Sequence, residues 1–378
     1  MGVPLFDTDT PLAPLREELT AKVTEVINGG RFILGPEVSA FETELAEYVG
    51  VGHALGVGNG TDALAIALRA LGIEAGDPVI VPALTFYATA EAVAAIGARP
   101  VFADVDPSTR NLSVDTVAAA LKREPQAKAI ITVDLFGLPA PSPAIKREFS
   151  LPVIEDAAQA IGASLDGVKA GALADIATFS FYPSKNLGAF GDGGAVLTDD
   201  PELAATVKAL RFHGSRDKQS FELVGYNSRL DEIQAAVLRI LLRQLDGWAE
   251  GRRRAAASYR DRGIGRYVGI APEREGTLPA WHLYVVTHPQ ADAVIQQLND
   301  AGIQARAYYR TPLHRQPAMA PYVPPGLELP ITDELARTII ALPISPVLST
   351  AQAQQVVDVL AEASLGVAEP KASNPAGS

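Results

Sequence analysis

One lysine in the segment ATFSFYPSKNLGAFGDGGAVLT, residues 177–198, has surroundings that could turn an amine into a reagent. A run containing Phe179 and Phe181 ends at Pro183 and delivers Lys185 into a turn with glycines at 188, 191, 193 and 194. The lysine does not continue an amphipathic pattern. The glycines permit close backbone approach and positive φ, and the hydroxyls of Ser180 and Ser184 suit phosphate oxygens. An amine beside a phosphate site is the chemistry of a Schiff-base cofactor. In LPVIEDAAQA, residues 151–160, Asp156 and Gln159 follow an apolar strand, at the carboxyl edge where α/β sheets bind ligands. Asp156 either caps a helix or keeps a pyridine nitrogen protonated, and one side chain can do both. GVGNGTDAL, residues 56–64, ends a strand and opens a helix, which frees the amides of Gly60, Thr61 and Asp62 for a phosphate. The third glycine of a dinucleotide fingerprint is missing, and the next strand ends in PALTF rather than in an acid for a ribose. Both features disfavour a nicotinamide dehydrogenase. Phe86, within PALTF, offers a ring face for stacking or a core contact.

Positioning these residues requires strand ends gathered along one edge. Between about residues 40 and 200, helical stretches alternate with PVIVPAL, RPVFADV, KAIITVDLFG, LPVIEDAA and ATFSFYP, which predicts an α/β domain with a mostly parallel sheet. Helical spacing covers 61–71, 89–97 and 114–123. From Leu230, the apolar residues Ile233, Val237, Ile240, Leu241 and Leu245 predict one long helix that leaves this domain and runs into Arg252–Arg254. WHLYVVTH, QADAVIQQLNDAG, IQARAYY, ITDELARTIIALPIS and a last helix over about Thr350–Ala363 predict a smaller α+β domain. The expected division is 1–245, 246–365 and a disordered tail at 366–378, with the Pro-rich stretch 311–330 as a long loop.

The 378 residues are 48% hydrophobic, ample for a core without staples. No cysteine is present, which excludes disulfides, thiolate metal sites and cysteine nucleophiles; with five histidines, no metal is expected. A net charge of −12 repels phosphate backbones, so nucleic acid is not an expected partner. MGVPLFDTDT lacks a basic region and an apolar core, and no run approaches the ~18 apolar residues of a membrane span. The expectation is a cytoplasmic protein with no membrane contact.

Taken in order, GNGTDAL, PALTFYAT, VIEDAAQA, SFYPSKNLGAFGDGGA and GYNSRLDEIQAAVL resemble the sugar-nucleotide aminotransferases of the DegT/DnrJ/StrS family, over roughly residues 4–362. The resemblance implies a pyridoxal 5′-phosphate enzyme of fold type I, with a large domain whose mixed, mostly parallel sheet is sandwiched by helices and a smaller C-terminal α+β domain. It implies that Lys185 carries the cofactor and is catalytic with Asp156, which meets the pyridine nitrogen. Gln159 would contact the ring hydroxyl and Phe86 would stack on the ring. Gly60, Thr61 and Ser180 would hold the phosphate, joined by Asn227 from the second subunit of a homodimer with shared active sites. Ile161 and Tyr182 depart from the family, which often has His at both places, and they border the expected sugar pocket.

The implied reaction moves an amino group from an amino acid, glutamate, to a keto sugar on a nucleoside diphosphate, by way of pyridoxamine phosphate. NLGAFGDGGA resembles members that aminate C3, so a dTDP-3-keto-6-deoxyhexose is the expected acceptor, with a UDP-linked 3-oxo-glucuronate as the alternative. A non-catalytic regulatory protein that binds the cofactor is a further alternative, whereas Lys185 argues against a sugar dehydratase. Arg229 and the YYRTPLHRQPA segment, with Tyr309 and His314, join Tyr182 as expected sugar-nucleotide contacts. Arg229 could instead pair with Asp231.

Overall fold

Seven short strands, each with at least four buried residues, are what the apolar runs become in the computed structural model, which describes residues 2–272 and 274–366. The expected tail lies, from residue 367 on, outside the described residues. In chain order the elements are α1 (Arg16–Gly29), α2 (Pro36–Val49), β1 (His53–Val57), α3 (Gly60–Ala70), β2 (Pro78–Pro82), α4 (Ala88–Ala95), β3 (Arg99–Ala103), α5 (Val114–Arg123), β4 (Ala129–Val133), α6 (Ser142–Glu148), β5 (Val153–Asp156), β6 (Ser164–Leu165), β7 (Val168–Lys169), β8 (Ile176–Ser180), β9 (Gly194–Thr198), α7 (Pro201–Leu210), α8 (Glu232–Leu242), α9 (Leu245–Asp261), β10 (Gly269–Ile270), β11 (Thr277–Leu278), β12 (Tyr284–Thr287), α10 (Ala291–Asp300), α11 (Pro330–Thr338), β13 (Ile339–Leu342) and α12 (Thr350–Gly366).

The large sheet has the order β1-β9-β8-β5-β4-β2-β3. The pairs from β8 across to β3 are parallel, and β9 is antiparallel to both of its neighbours. This is the mixed, mostly parallel sheet that the sequence implies. Strands such as PVIVP and AIITV are buried throughout because helices cover both faces, which is why they read as unbroken apolar runs. Parallel direction also puts the carboxyl ends of β1, β2, β5 and β8 along one edge, where Gly60, Phe86, Asp156 and Ser180 leave the sheet.

A second sheet, β10-β12-β13, is packed by α9, α10 and α12, and its core includes Val286, Leu298, Ile340 and Val356. Val3, near the chain's start, is buried in that core and its amide donates to Gly302 O at 3.0 Å. β11 returns to pair with the hairpin β6–β7.

The single long helix expected beyond Leu230 is instead two, α8 and α9, parted at Arg243 and Gln244. Leu238, Ile240, Leu241 and Leu245 face the large-sheet core, whereas Ala255, Ala256 and Tyr259 face the second one. One straight apolar stripe cannot serve both cores, so the helix breaks between them. Among the described residues, no helix is long and apolar enough to cross a membrane.

Candidate active site

The carboxyl edge of the large sheet opens on a cavity of about 660 Å³ whose walls include Gly60, Thr61, Phe86, Asp156, Gln159, Ser180, Tyr182, Lys185 and Tyr309. Nine of the residues expected from sequence therefore meet in one place. Asp156 is the last residue of β5 and is buried. Its Oδ2 accepts from Thr89 Oγ1 at 2.8 Å and its Oδ1 from the Ala158 amide at 3.3 Å. Burial pushes its carboxyl above the ordinary range, while the Thr89 hydroxyl, the Lys185 charge and the Ala158 amide pull it back. Behind it, Asp134 is held well above the usual carboxylate range by burial and then by the charge of Glu155. A proton on Asp134 spares Asp156 one negative neighbour.

Lys185 is half-buried, and burial brings its ammonium down to about 8 against the opposing charge of Asp156. The turn that carries it is tight: a Cβ on Gly188 would sit 2.5 Å from Pro183 O, and one on Gly194 would sit 2.5 Å from Asn59 O. Close approach is the whole requirement, because none of the four glycines in the turn takes the positive φ expected from sequence.

Helix α3 starts at the cavity because Asn59 caps it, its Oδ1 accepting from the Asp62 amide at 2.8 Å. The amides of Gly60 and Thr61 remain as first-turn donors at the cavity wall. A Cβ on Gly60 would fall 2.7 Å from the Ser180 Cβ, so the glycine brings α3 against the end of β8. Backbone donors at a helix start, the Ser180 hydroxyl, a buried carboxylate and a lysine across the floor form a donor set that fits pyridoxal phosphate.

Phe86 is 53% exposed and tilts at 6.0 Å from the Tyr309 ring, which leaves an aromatic face for a planar ligand. Gln159 Oε1 accepts from the Phe136 amide at 2.8 Å, and its Nε2 donates to Tyr309 Oη at 3.2 Å, so its amide is oriented from both sides.

Three expected residues are not at the cavity. Asn227 is exposed and bridges Phe212, and the Arg229 guanidinium lies over the Phe212 ring at 5.6 Å. No ion pair joins Arg229 to Asp231 among the described residues. His314 is buried against Asp333, 3.2 Å from its carboxylate. Several cavity residues escaped the sequence reading, His282 and Phe6 among them. His282, inside the run WHLYVVTH, is 4% exposed with an unpartnered Nδ1, and burial together with the charges of Lys185 and Arg252 holds it well below the usual histidine range. The Phe6 ring lies tilted against it, 5.7 Å between centroids. The polar residue opening a strand-like run was the available signal for His282; nothing local marked Phe6.

A model of the DegT/DnrJ/EryC1/StrS aminotransferase family matches residues 14–361. The dTDP-3-amino-3,4,6-trideoxy-alpha-D-glucose transaminase of Streptomyces venezuelae is 44% identical over 368 residues, covering 95% of this chain and 96% of that protein. The UDP-N-acetyl-3-dehydro-alpha-D-glucosamine 3-aminotransferase of Acidithiobacillus ferrooxidans is 42% identical, covering 95% and 97%. Among solved structures, NtdA from Bacillus subtilis with bound cofactor PMP matches with a TM-score of 0.87 at 30% identity, over 96% of this chain and 85% of that one.

Proposed function

The chain belongs to the DegT/DnrJ/EryC1/StrS aminotransferase family, and on that premise we propose that it transfers an amino group from an amino acid, L-glutamate, to C3 of a keto sugar carried on a nucleoside diphosphate. Its cofactor is pyridoxal phosphate, alternating with pyridoxamine phosphate, which when bound supplies an electron sink conjugated to the substrate carbon and a carrier for nitrogen. The observation that carries this reading is an amine of lowered pKa, Lys185, facing a buried carboxylate, Asp156, across one cavity floor.

Each side chain has a task that its surroundings suit. Asp156, oriented by Thr89 and the Ala158 amide, keeps a proton on the ring nitrogen. Lys185, with a pKa of about 8, has roughly a tenth of its amine free at pH 7, enough to take a proton from the substrate carbon and return it elsewhere. The Gly60 and Thr61 amides and the Ser180 hydroxyl would hold the phosphate, Phe86 would offer its face to the ring, and the braced Gln159 amide would meet the ring hydroxyl. Tyr182 and Tyr309 line the remaining space on the sugar side.

Amination at C3 is supported by the names of both relatives, one acting on a dTDP sugar and the other on a UDP sugar. The dTDP-3-keto-6-deoxyhexose is the primary reading and a UDP-linked 3-oxo sugar the second. A regulatory protein that only binds the cofactor would use Lys185 and Asp156 to hold it, but would have no use for the lowered pKa that frees the Lys185 amine for proton transfer. The homodimer belongs to the proposal as well: Asn227, exposed and away from its own chain's cavity, shares the stretch 221–227 with the exposed apolar residues Phe221 and Val224, a segment suited to meeting a second copy. Incubating the protein with glutamate and a panel of dTDP- and UDP-linked keto sugars, with products read by mass spectrometry, tests the assignment. Amino sugar from 3-keto compounds, absent with Lys185→Ala, is the expected result; product from 4-keto compounds alone overturns the C3 assignment.

A further inference from the structure

Five ring-bearing residues of the cavity wall form a continuous arc. It runs from Phe86 to Tyr309, 6.0 Å between centroids, then to Tyr308 at 5.4 Å, to Phe6 at 6.5 Å and to His282 at 5.7 Å. Phe6, Tyr308 and Tyr309 pack against the apolar cluster that includes Leu84, Val133, Leu283 and Val285, so a core backs the arc, and the Gln159 amide holds the Tyr309 hydroxyl at 3.2 Å. The arc carries no charge. His282 is neutral, because burial and the charges of Lys185 and Arg252 hold it well below the usual histidine range, and burial pushes the Tyr309 phenol up. The charged side chains elsewhere in the wall are Asp62, Glu91, Asp156 and Asp192, with Lys185 as the one cation among the described residues. That cation already faces Asp156.

We propose that Phe6, His282, Tyr308 and Tyr309 select the acceptor sugar: their arc receives a deoxygenated C5–C6 edge and rejects a sugar with a carboxylate at C6. The proposal rests on the aminotransferase reading above and separates a 6-deoxyhexose from a 3-oxo-glucuronate. A methyl group gains from leaving water for a ring-lined wall. A hydroxymethyl group fits nearly as well, and an apolar wall rejects an added hydroxyl only weakly. A carboxylate is different in kind, because it loses water where no cation waits for it and the remaining charges of the wall are negative. The Tyr308 hydroxyl can donate to it without cancelling its charge. The arc lies in the same cavity as Lys185, so selection acts near the carbon that reacts.

Protein loaded with pyridoxamine phosphate is offered three 3-keto sugars on one nucleotide that differ only at C6, which is a methyl, a hydroxymethyl or a carboxylate. Stopped-flow absorbance gives kcat/KM for each half-reaction. The methyl sugar should lead the hydroxymethyl one by about tenfold to a hundredfold and the carboxylate one by about a thousandfold. Phe6→Arg places a cation in the arc and should narrow the methyl-to-carboxylate ratio about tenfold to a hundredfold, whereas Phe6→Leu keeps the wall apolar and should preserve the ranking. Comparable values for the methyl and carboxylate sugars in the wild type, or a ratio that Phe6→Arg leaves unchanged, overturn the proposal; if Phe6→Arg fails to fold, the wild-type ranking decides alone. If no keto sugar is aminated, the aminotransferase reading fails, and calorimetric titration of the cofactor-loaded protein with dTDP-6-deoxyglucose and dTDP-glucuronate then judges the arc. Tighter binding of the 6-deoxy sugar supports it, and equal affinity, the reverse preference or no binding refutes it.

Discussion

Replacing Lys185 by methionine should make the cofactor-free protein more stable at neutral pH. Burial brings the Lys185 ammonium from the ordinary 10.5 to about 8, although Asp156 opposes the change. Between those two values the unfolded chain holds a proton that the folded chain has released, so stability rises as pH climbs from about 8 to 10.5. Below about 8 both states are charged, and the folded state bears the full cost of a desolvated ammonium. At about 1.4 kcal/mol per pH unit, the interval sets a ceiling of about 3 kcal/mol. Because the residue is only half-buried and methionine leaves Asp156 without its cation, a gain of about 1–2 kcal/mol is expected. Urea unfolding of cofactor-free wild type and Lys185→Met at pH 7 and pH 10.5 measures it. The variant should have the higher midpoint at pH 7, with the gap closing toward pH 10.5. A less stable variant at pH 7, or a gap that ignores pH, would mean that the lysine amine is solvated and the floor is not built as described.

The Cβ of Gly60→Ala would fall 2.7 Å from the Ser180 Cβ, so α3 must withdraw its first turn; fluorescence titration should find pyridoxal phosphate bound about tenfold more weakly, with the fold intact by circular dichroism. Thr89→Val removes the 2.8 Å hydrogen bond to Asp156, so the Asp156 pKa rises further and the acid limb of the pH–rate profile should move to higher pH; an unmoved limb would deny Thr89 this role. Mixing Lys185→Ala chains with Asn227→Asp chains should restore activity toward that of one wild-type site, since one composite site then has both residues intact. Lack of recovery after subunit exchange, or full activity in a monomer, contradicts the shared site.

The legible part of the site is the part held by short stretches of chain. Gly60, Phe86, Asp156 and Ser180 each follow a strand within a few residues, and parallel strands bring such positions to one edge by geometry alone. Lys185 follows from the same logic, one turn beyond β8. His282, Phe6 and Thr89 arrive from segments whose local pattern concerns a core, a chain start and a helix, and only packing brings the first two to the cavity and Thr89 to Asp156 behind its wall. The break between α8 and α9 was hidden for a related reason. Apolar spacing continues through Leu245, and the change of partner from one core to the other leaves no mark in the periodicity.

Reductive trapping with borohydride tests the central claim most directly. The protein is loaded with pyridoxal phosphate, reduced and digested, and its peptides are sequenced by mass spectrometry. The account predicts the cofactor's added mass on Lys185, lost when glutamate is supplied before reduction because the amine has then been displaced and the nitrogen transferred. Cofactor fixed on a different lysine, or labelling of Lys185 that glutamate leaves untouched, would contradict it.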